Sequence, residues 1–509
     1  MRTKRAAGLL GCLLVWATLG PAVDARAAAL DSKTGDAGTA AVHVARVSII
    51  QTGAFFITPR DAATPVAARV NAPLMPGDAF ESDDAGARAE IQLDGLSELR
   101  FDGRAAGRID GNGAGGRRIE VTGGSFELSI LRGGDTVTEI STPTIALRTR
   151  YAGAYRISMG DDGSATVTPR SGQCDVVMPH KTVTVLPGAT LVVHGAADSA
   201  SSHSATARDA FDEFSASRDS TLLAALTDDV ALPASIAGYD DFDAVGRWAS
   251  LPAYGRVWVP QQSSAWAPYR HGAWSYQNPY GWTWIGAEPW AWVPYHYGRW
   301  LYSSGYGWCW YPPPAGFDPI WAPALVGFFG LGTGPLGFSQ FGWVPLAPFE
   351  PYVAWNPQRY YPPPAPPPRR HRNDSPRMHP LTAAFRNARF GGATVIDVTA
   401  WSDGNFAHAT AADAGRVGGA PVVSGAPPVT HGAIAEKTAP IAVPRSPSST
   451  NALPTLRASP ANALSTIPVT RPANPAPRGT TIVPARTPPS ANGPTPAHTV
   501  HSSSAHPPA

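Results

Sequence analysis

The sequence predicts a mostly β protein with one connecting helix, and three observations carry this prediction. Residues 40–197 consist of short runs of alternating apolar and polar residues, each followed by a turn dipeptide. Residues 246–310 repeat one pattern of Trp, Tyr, Gly and Pro with a period of 26. Residues 204–228 have the apolar spacing of an amphipathic helix, and residues 358–509 are rich in Pro, Ala, Ser and Thr. We therefore expect two β domains, a helix between them and a largely disordered tail.

The first predicted domain, residues 40–197, is all-β. Ala89, Ile91 and Leu93 alternate with polar residues before Asp94-Gly95. Similar runs precede five other turn dipeptides, namely Gly123-Gly124, Gly133-Gly134, Asp162-Gly163, Ser171-Gly172 and Pro187-Gly188. Strands that recur every roughly 8 to 12 residues, with turns between them, are typical of a β-sandwich, barrel or solenoid.

The turns of this domain carry a family resemblance. Asn71 to Asp78 reads Asn-Ala-Pro-Leu-Met-Pro-Gly-Asp, a strand of small residues follows at Ala87 to Gly95, and Gly123-Gly124 and Thr142-Pro143 come later. This order resembles the FecR domain, which implies a periplasmic β module without a catalytic signature. The best-known members sense a TonB-dependent receptor and signal to a sigma factor, through a cytosolic segment and a transmembrane helix. We find neither in the sequence, so we carry over the domain type alone.

Residues 204–228 are predicted to form the connecting helix. Phe211, Phe214, Leu222 and Ala225 recur at helical spacing, and Thr206 is expected to be the N-cap. The charged residues between them are expected to form a solvated face: Arg208, Asp209, Asp212, Glu213, Arg218 and Asp219. The acidic cluster after the helix is also expected to be a solvated turn, because a calcium site needs more oxygen ligands. That cluster is Asp240, Asp241 and Asp243.

The second predicted domain, residues 238–357, contains fourteen of the sixteen tryptophans. Each copy opens with Gly-x-Trp, has Tyr-Gly six residues later, and places another Trp three residues after that glycine. Gly246, Gly272 and Gly298 begin the three copies. A fixed period of this length indicates one supersecondary unit stacked on itself. Because Gly and Pro leave no room for a long helix, each copy is predicted to be a two-stranded β element with tight turns.

Phrases within the repeats carry a second resemblance. Tyr254 to Trp258 reads Tyr-Gly-Arg-Val-Trp, and Pro294 to Trp300 reads Pro-Tyr-His-Tyr-Gly-Arg-Trp. These phrases resemble a bacterial family of tryptophan-rich proteins that carry an N-terminal FecR-like domain. The resemblance implies the architecture of the chain and brings no established activity with it.

The aromatic residues of the repeats allow two interpretations. The tryptophans are either the core of a small repeat, or part of an exposed face that stacks on sugar rings or grips a peptide. Tyrosines suit a surface better, because a phenol combines an apolar ring with a polar tip. The predicted binding residues are Tyr269, Tyr276, Tyr295, Tyr297, Trp274 and Trp300, with Tyr302 as a further surface candidate.

Nothing in the sequence points to catalysis. The repeats hold two histidines, His271 and His296, without a carboxylate pair, and Gly327 to Gly330 lacks the lysine of a phosphate-binding loop. We therefore expect a non-enzymatic protein with no catalytic residues, no metal and no cofactor. The formal net charge of +2 gives no reason to expect nucleic-acid binding.

The N-terminus predicts export. Three basic residues precede the apolar run Ala6 to Leu19, and small residues around Ala27 offer a cleavage site, as in a signal peptide over residues 1–27. Cys12 is not expected to carry a lipid, because the apolar run continues past it. No later run is long enough to span a membrane. We therefore expect a protein of the periplasm or cell envelope of a Gram-negative bacterium.

Two cysteines follow the signal peptide, Cys174 and Cys309. They could pair in an oxidising compartment. They fall in different predicted domains, however, and we favour two small buried hydrophobic side chains.

In the tail, Gly392–Val398 is predicted to be ordered. The rest of the tail cannot bury enough apolar surface to offset the entropy of ordering.

Together these features predict a non-enzymatic envelope protein. The FecR-like module and the aromatic repeats are expected to contact a cell-envelope glycan, peptidoglycan or an envelope protein, through many weak contacts that multivalency strengthens. The alternative is a periplasmic sensory component of FecR type that acts through a membrane partner. The sequence specifies neither the ligand nor the oligomeric state.

Overall fold

The computed structural model describes residues 44–113, 116–195, 199–227, 233, 236–242, 245–278, 280–314, 319–334, 337–352 and 385–423. Strands dominate these residues, which confirms the predicted mostly β class. The predicted signal peptide, Cys12, Asp243 and most of the C-terminal tail lie outside the described residues. Within the described ranges, no helix has the length and apolar character needed to cross a membrane.

The first domain is one sheet of sixteen strands. In chain order they are β1 Ala45–Thr52, β2 Phe56–Thr58, β3 Val66–Ala67, β4 Pro73–Leu74, β5 Ala79–Ser82, β6 Arg88–Gln92, β7 Ser97–Gly113, β8 Gly116–Ile130, β9 Thr138–Ser141, β10 Ala146–Thr149, β11 Gly153–Met159, β12 Ala165–Pro169, β13 Cys174–Val177, β14 Thr182–Val185, β15 Ala189–His194 and β16 Ser199–Ser204. The main path runs β14-β13-β10-β9-β8-β11-β12-β15-β16, and β7 joins β5 and β6 to β8. The sheet ends at Ser204, a few residues beyond the predicted boundary of 197.

The long hairpin of β7 and β8 organises this sheet. Phe101 pairs with Phe126 across it, and their rings lie 6.1 Å apart in the core. Gly123-Gly124, predicted as a turn, lies inside β8 opposite a bulge in β7. Gly124 has a φ of +100°, and a Cβ atom there would lie 2.2 Å from the Arg104 carbonyl oxygen, so the bulge requires glycine.

The apolar core lies on one face of this sheet. Ala89, Ile91 and Leu93 are buried, as their alternation predicted. Glu90 and Gln92 point to the opposite face, yet they are buried as well. A second layer therefore covers the polar face, and the connecting helix is part of it.

Helix α1 spans Ala210–Thr227 and confirms the predicted connecting helix. Its N-cap is Asp209, so the prediction of Thr206 is wrong. The Asp209 carboxylate accepts hydrogen bonds from the N–H groups of Phe211 and Asp212, both at 3.0 Å. In return, the Asp212 carboxylate accepts one from the Asp209 N–H at 2.9 Å. This reciprocal pair satisfies the free donors of the first turn in the manner of a capping box.

Each of the three repeats forms the predicted hairpin. The strands are β17 Gly246–Leu251, β18 Gly255–Pro260, β19 Gly272–Gln277, β20 Gly281–Gly286, β21 Arg299–Ser303 and β22 Gly307–Tyr311. The register is the same in all three, with cross-strand pairs Trp248/Trp258, Trp274/Trp284 and Trp300/Trp310. The hairpins are not stacked in sequence order, however. The first and third form one sheet, β17-β18-β22-β21, and the second forms a sheet of its own.

A further sheet includes a returning segment of the chain. Its strands are β23 Val326–Leu331, β24 Gln340–Pro345, β25 Thr394–Asp397 and β26 Thr410–Ala411. The short helices are α2 Trp292–His296, α3 Val398–Ser402 and α4 Ala414–Val417, and 3-10 turns lie at Tyr239–Asp241, Arg386–Phe390 and Phe406–His408. The predicted ordered segment Gly392–Val398 contains β25, but the described structure covers 385–423. Within it, β25 pairs with β24 of the second predicted domain.

The tryptophans form the core of the repeat domain. Of the thirteen described between residues 245 and 352, twelve are buried and Trp248 is half-buried. They pack edge-to-face or at tilted angles; the rings of Trp274 and Trp284, for example, lie 5.2 Å apart at 69°. Trp401 of the returning segment joins them, 5.1 Å from Trp282. The sequence left two interpretations open, and the interpretation that the tryptophans form the core is correct.

Candidate functional site

Five of the six predicted binding residues are buried, so the prediction that they line an exposed face is wrong. These five are Tyr269, Tyr295, Tyr297, Trp274 and Trp300. The reason is clearest for Tyr269, whose polar tip finds partners inside the domain. Its hydroxyl donates to the Tyr295 carbonyl oxygen at 2.6 Å and accepts the Leu325 N–H at 3.0 Å. A phenol whose hydroxyl has hydrogen-bond partners inside the protein can be buried away from water.

Tyr276 is the predicted binding residue that reaches the surface. Its ring is 37% exposed and stands edge-on against the buried Trp282, with centroids 5.7 Å apart at 83°. Tyr302, one repeat later, is 40% exposed and meets Trp308 in the same way, at 5.5 Å and 79°. Both contacts join residues that pair directly across their hairpins. An exposed tyrosine braced by a buried tryptophan is thus a repeated feature of the fold.

The third repeat carries a larger exposed surface, which we call the aromatic platform and define as Tyr302, Trp308 and Phe390. The rings of Tyr302 and Phe390 are stacked, with centroids 5.1 Å apart at 15°. Phe390 is 43% exposed, and the Arg389 guanidinium lies 5.5 Å from the centre of its ring. Sequence reasoning missed Phe390, because it lies in the predicted tail, 88 residues after Tyr302.

The segment that supplies Phe390 is fixed to the third repeat by buried Asn387. The Asn387 side-chain amide donates to the carbonyl oxygens of Trp300 and Pro345, at 2.8 Å and 3.0 Å. At the other end of this turn, the Arg270 guanidinium donates to the Gly391 carbonyl oxygen at 2.6 Å. The platform is therefore built from two distant parts of the chain that are held in one arrangement.

A second candidate site is a group of ion pairs between the two domains, which we call the ionic joint. Its members are Arg46, Glu90, Arg100, Arg218, Asp219, Asp240 and Asp241. On the sheet, Arg100 donates to Glu90 at 2.8 Å. Helix α1 adds Asp219, which accepts from Arg100 at 2.7 Å, and Arg218, which donates to Glu90 at 2.9 Å. The prediction that these helix residues form a solvated face is therefore wrong.

The ionic joint continues into the start of the repeat domain. Asp240 accepts hydrogen bonds from Arg218 at 3.0 Å and from Gln92 at 3.2 Å. Asp241 accepts one from Arg46 at 2.6 Å. The predicted solvated turn is therefore wrong for both aspartates, because arginines from the sheet and from the helix bind them. The ionic joint links sheet, helix and repeat domain in one network.

Carboxylates outnumber arginines in and around the ionic joint. The pKa values of these carboxylates differ, because they are buried to different extents and have different partners. Burial alone would raise the pKa of Glu90, but Arg100 and Arg218 outweigh it and lower the pKa to about 2. Glu98 is fully buried, and neither of its oxygens has a hydrogen-bond partner among the described residues. Burial raises the pKa of Glu98 well above its usual range, and that of Glu127 to about 7. These two acids keep their protons to higher pH than Glu90.

The two cysteines and His296 are buried in the described part of the chain. Within it, no group of three or more His, Cys, Asp or Glu side chains is placed to hold a metal ion. Cys174 and Cys309 are free and buried, as we favoured, and burial raises their thiol pKa values to about 12 and about 11. His296 is buried with Nδ1 2.7 Å from the Ala322 carbonyl oxygen, and burial lowers its pKa to about 4.

Comparisons with known proteins give a family match for the repeat domain. Residues 239–350 match the model of a family of unknown function, DUF6600. Two crystal structures of a candidate anti-sigma factor from Parabacteroides distasonis ATCC 8503, at 2.50 and 1.65 Å resolution, are similar to this chain at 16% and 15% identity, with TM-scores of 0.23 and 0.22. The similar regions cover 25% and 24% of this chain, and 60% and 57% of those proteins, which is less than two thirds of their length. No curated protein matches.

Proposed function

We propose that this chain is a non-enzymatic binding or scaffold protein of the bacterial cell envelope, and that its repeat domain contacts peptidoglycan. The observation that carries the proposal is the exposed tyrosine braced by a buried tryptophan, which recurs at Tyr276 and Tyr302. The FecR resemblance of the first domain and the predicted signal peptide supply the expected location.

The geometry of these tyrosines suits a saccharide ligand. Each ring offers an apolar face beside a hydroxyl that can donate or accept a hydrogen bond, which matches the mixed character of a sugar. Because the tryptophan beneath holds the ring in place, little side-chain freedom is lost when a ligand binds. A polymer with repeated units can engage both positions, and the linked contacts strengthen one another.

The ionic joint supports the scaffold part of the proposal. It ties the repeat domain to the first domain through pairs such as Arg46 with Asp241 and Gln92 with Asp240. Asn71 of the first domain adds a hydrogen bond to the Glu288 carbonyl oxygen at 2.9 Å. Tyr276 and Tyr302 are thus presented in a fixed position relative to the FecR-like domain, as a scaffold requires.

The experiment is co-sedimentation of the full chain with purified peptidoglycan sacculi. The double variant Tyr276→Ser/Tyr302→Ser removes both rings, and Ser is compatible with the hairpin because Ser250 occupies the equivalent position in the first repeat. We expect at least a tenfold loss of affinity, since each stacked ring is worth roughly 1 kcal/mol or more. The matched control is Tyr151→Ser, which removes a 45% exposed tyrosine from the first domain. Equal binding by the double variant and the control would reject the proposal.

A sensory component that acts through a membrane partner is the second candidate, and the ionic joint is the observation that favours it. A network of charges that spans both domains could pass a change at one domain to the other. The test is crosslinking in intact cells from a photoreactive residue placed at Tyr151 or at Tyr276. A specific membrane protein captured from Tyr151, with no affinity of the chain for sacculi, would favour the sensory function.

A further inference from the structure

The aromatic platform lies beside two exposed arginines. Arg386 and Arg389 belong to the same 3-10 turn, Arg386–Phe390, and both side chains are exposed. Residues three apart in a 3-10 helix lie on the same side of it, and the Arg389 guanidinium donates to the Arg386 carbonyl oxygen at 3.3 Å. In the described ranges, neither arginine forms an ion pair with a carboxylate. The Arg389 guanidinium therefore stands next to the ring of Phe390, and Arg386 supplies a second exposed cation in the same turn.

Glu350 and Glu288, the acidic residues described between residues 245 and 352, do not expose their carboxylates beside these arginines. The Glu350 carboxylate is directed inward, where it accepts the N–H groups of Arg386 and Ala347, both at 2.8 Å. Glu288, the other acidic residue described between residues 245 and 352, is also buried, and its carboxylate accepts the Trp266 indole N–H at 2.8 Å. The carboxylates described between residues 245 and 352 are therefore buried, and the exposed Asp397, Asp403 and Asp413 of the returning segment form no ion pair with Arg386 or Arg389 in the described ranges.

We propose that the aromatic platform, with Arg386 and Arg389, binds a carboxylate-bearing glycan. The sugar packs against the exposed part of the stacked pair Tyr302 and Phe390, and carboxylates on the glycan or on its peptide branches accept hydrogen bonds from the guanidinium groups. This inference rests on the proposed function and narrows its ligand from saccharides in general to the acidic groups of peptidoglycan. Charge complementarity selects such a ligand over a neutral glucan.

The test uses the full chain with native sacculi and with sacculi whose carboxyl groups have been converted to amides. Wild-type protein is expected to bind amidated sacculi about tenfold more weakly, as loss of a charge-assisted hydrogen bond implies. Arg386→Gln/Arg389→Gln is expected to bind native sacculi about tenfold more weakly and to be insensitive to amidation. Arg148→Gln, at an exposed arginine of the first domain, is the matched control and is expected to behave as wild type. Added salt is expected to weaken wild-type binding, because exposed charges are screened.

The outcomes separate this inference from the proposed function. If Tyr302→Ser abolishes binding while amidation and the arginine substitutions change nothing, the platform binds a neutral part of the glycan and the inference is overturned. If neither the tyrosine nor the arginine variants differ from the controls, both proposals fail. The comparison of native with amidated sacculi uses wild-type protein. A folding defect in a variant therefore cannot cause the weaker binding expected in that comparison.

Discussion

Arg100→Met is the substitution that tests the ionic joint most directly. The Arg100 side chain is fully buried, and its guanidinium binds Glu90 at 2.8 Å, Asp219 at 2.7 Å and the Ser215 carbonyl oxygen at 3.2 Å. Methionine retains the long apolar stem and removes the charge, so the change opens no large cavity. Any loss of stability then reports the electrostatic role of the guanidinium.

The expected magnitude follows from the partners that Arg100 leaves behind. Glu90 is fully buried and keeps an ion pair with Arg218, whereas Asp219 has no other ion-pair partner in the described part of the chain. Removing one side of a buried ion pair costs about 3–5 kcal/mol of unfolding free energy. Because Asp219 is 20% exposed and water can reach it, we expect a loss near the lower end, about 3 kcal/mol.

The loss is expected to depend on pH. The pKa of Glu90 is lowered in the folded state, so its contribution to stability is present above the unfolded pKa of about 4.5 and disappears as pH falls toward 2. Arg100 is a main cause of that lowering. The difference between wild type and Arg100→Met should therefore be largest above about pH 5 and shrink as the solution is acidified.

The assay is urea unfolding of the full chain, followed by circular dichroism for the strands and by tryptophan fluorescence for the repeat domain. Coincidence of the two probes shows whether a single unfolding free energy applies. Arg148→Met, which breaks an ion pair with Glu139 at the exposed surface, should cost roughly 0–1 kcal/mol. If Arg100→Met costs no more than this control at pH 7, the ionic joint does not stabilise the fold.

Three further substitutions or treatments test other parts of the structure. Glu98→Gln should raise the unfolding free energy relative to wild type above about pH 5. Because burial raises the pKa of Glu98 in the folded state, wild-type protein loses stability as pH increases, whereas glutamine does not titrate. Parallel pH profiles of the two unfolding free energies would contradict this. Trp401→Ala should cost about 3–5 kcal/mol in urea unfolding, since the ring packs 4.8 Å from that of Phe341 in the core; a cost below about 1 kcal/mol would exclude the returning segment from the core. Cys174 and Cys309 should react with a thiol reagent in denaturant and not in native protein, and fast labelling of either native thiol would show that it is not buried.

The local features of the repeats could be predicted from the sequence. Tyr-Gly pairs fix each turn, and in every hairpin the glycine has a positive φ, as at Gly281 with 90° and Gly307 with 76°. Once the turn is fixed, the cross-strand pairs of tryptophans follow from the spacing alone. The hairpins were therefore predicted correctly, although the way they associate was not. The pairing of the first hairpin with the third depends on tertiary contacts, which the 26-residue spacing of the repeats does not predict.

Burial was harder to predict for polar and amphipathic residues. Tyr269 was expected at the surface on the general behaviour of phenols, yet it is buried, because Tyr295 and Leu325 supply its hydrogen-bond partners. Asp240 and Asp241 were expected in solvent, yet the arginines that bind them come from residues 46 and 218. Such partners are far apart in the sequence, and each residue alone looks like part of a solvated turn. The aromatic platform was missed for the same reason, since Phe390 reaches Tyr302 only in the folded chain.

The contacts between the domains imply that they fold together. The first and third hairpins share a sheet, residues 385–423 complete the core around Trp401, and Arg46 with Asp241 joins the first domain to the repeats. A fragment that contains the repeats alone would lose the returning segment and would expose Asp241 without its arginine. Separate domains would then be destabilised for reasons unrelated to ligand binding. The orientation of the aromatic platform relative to the first domain is thus a property of the fold, and binding has to be measured on the full chain.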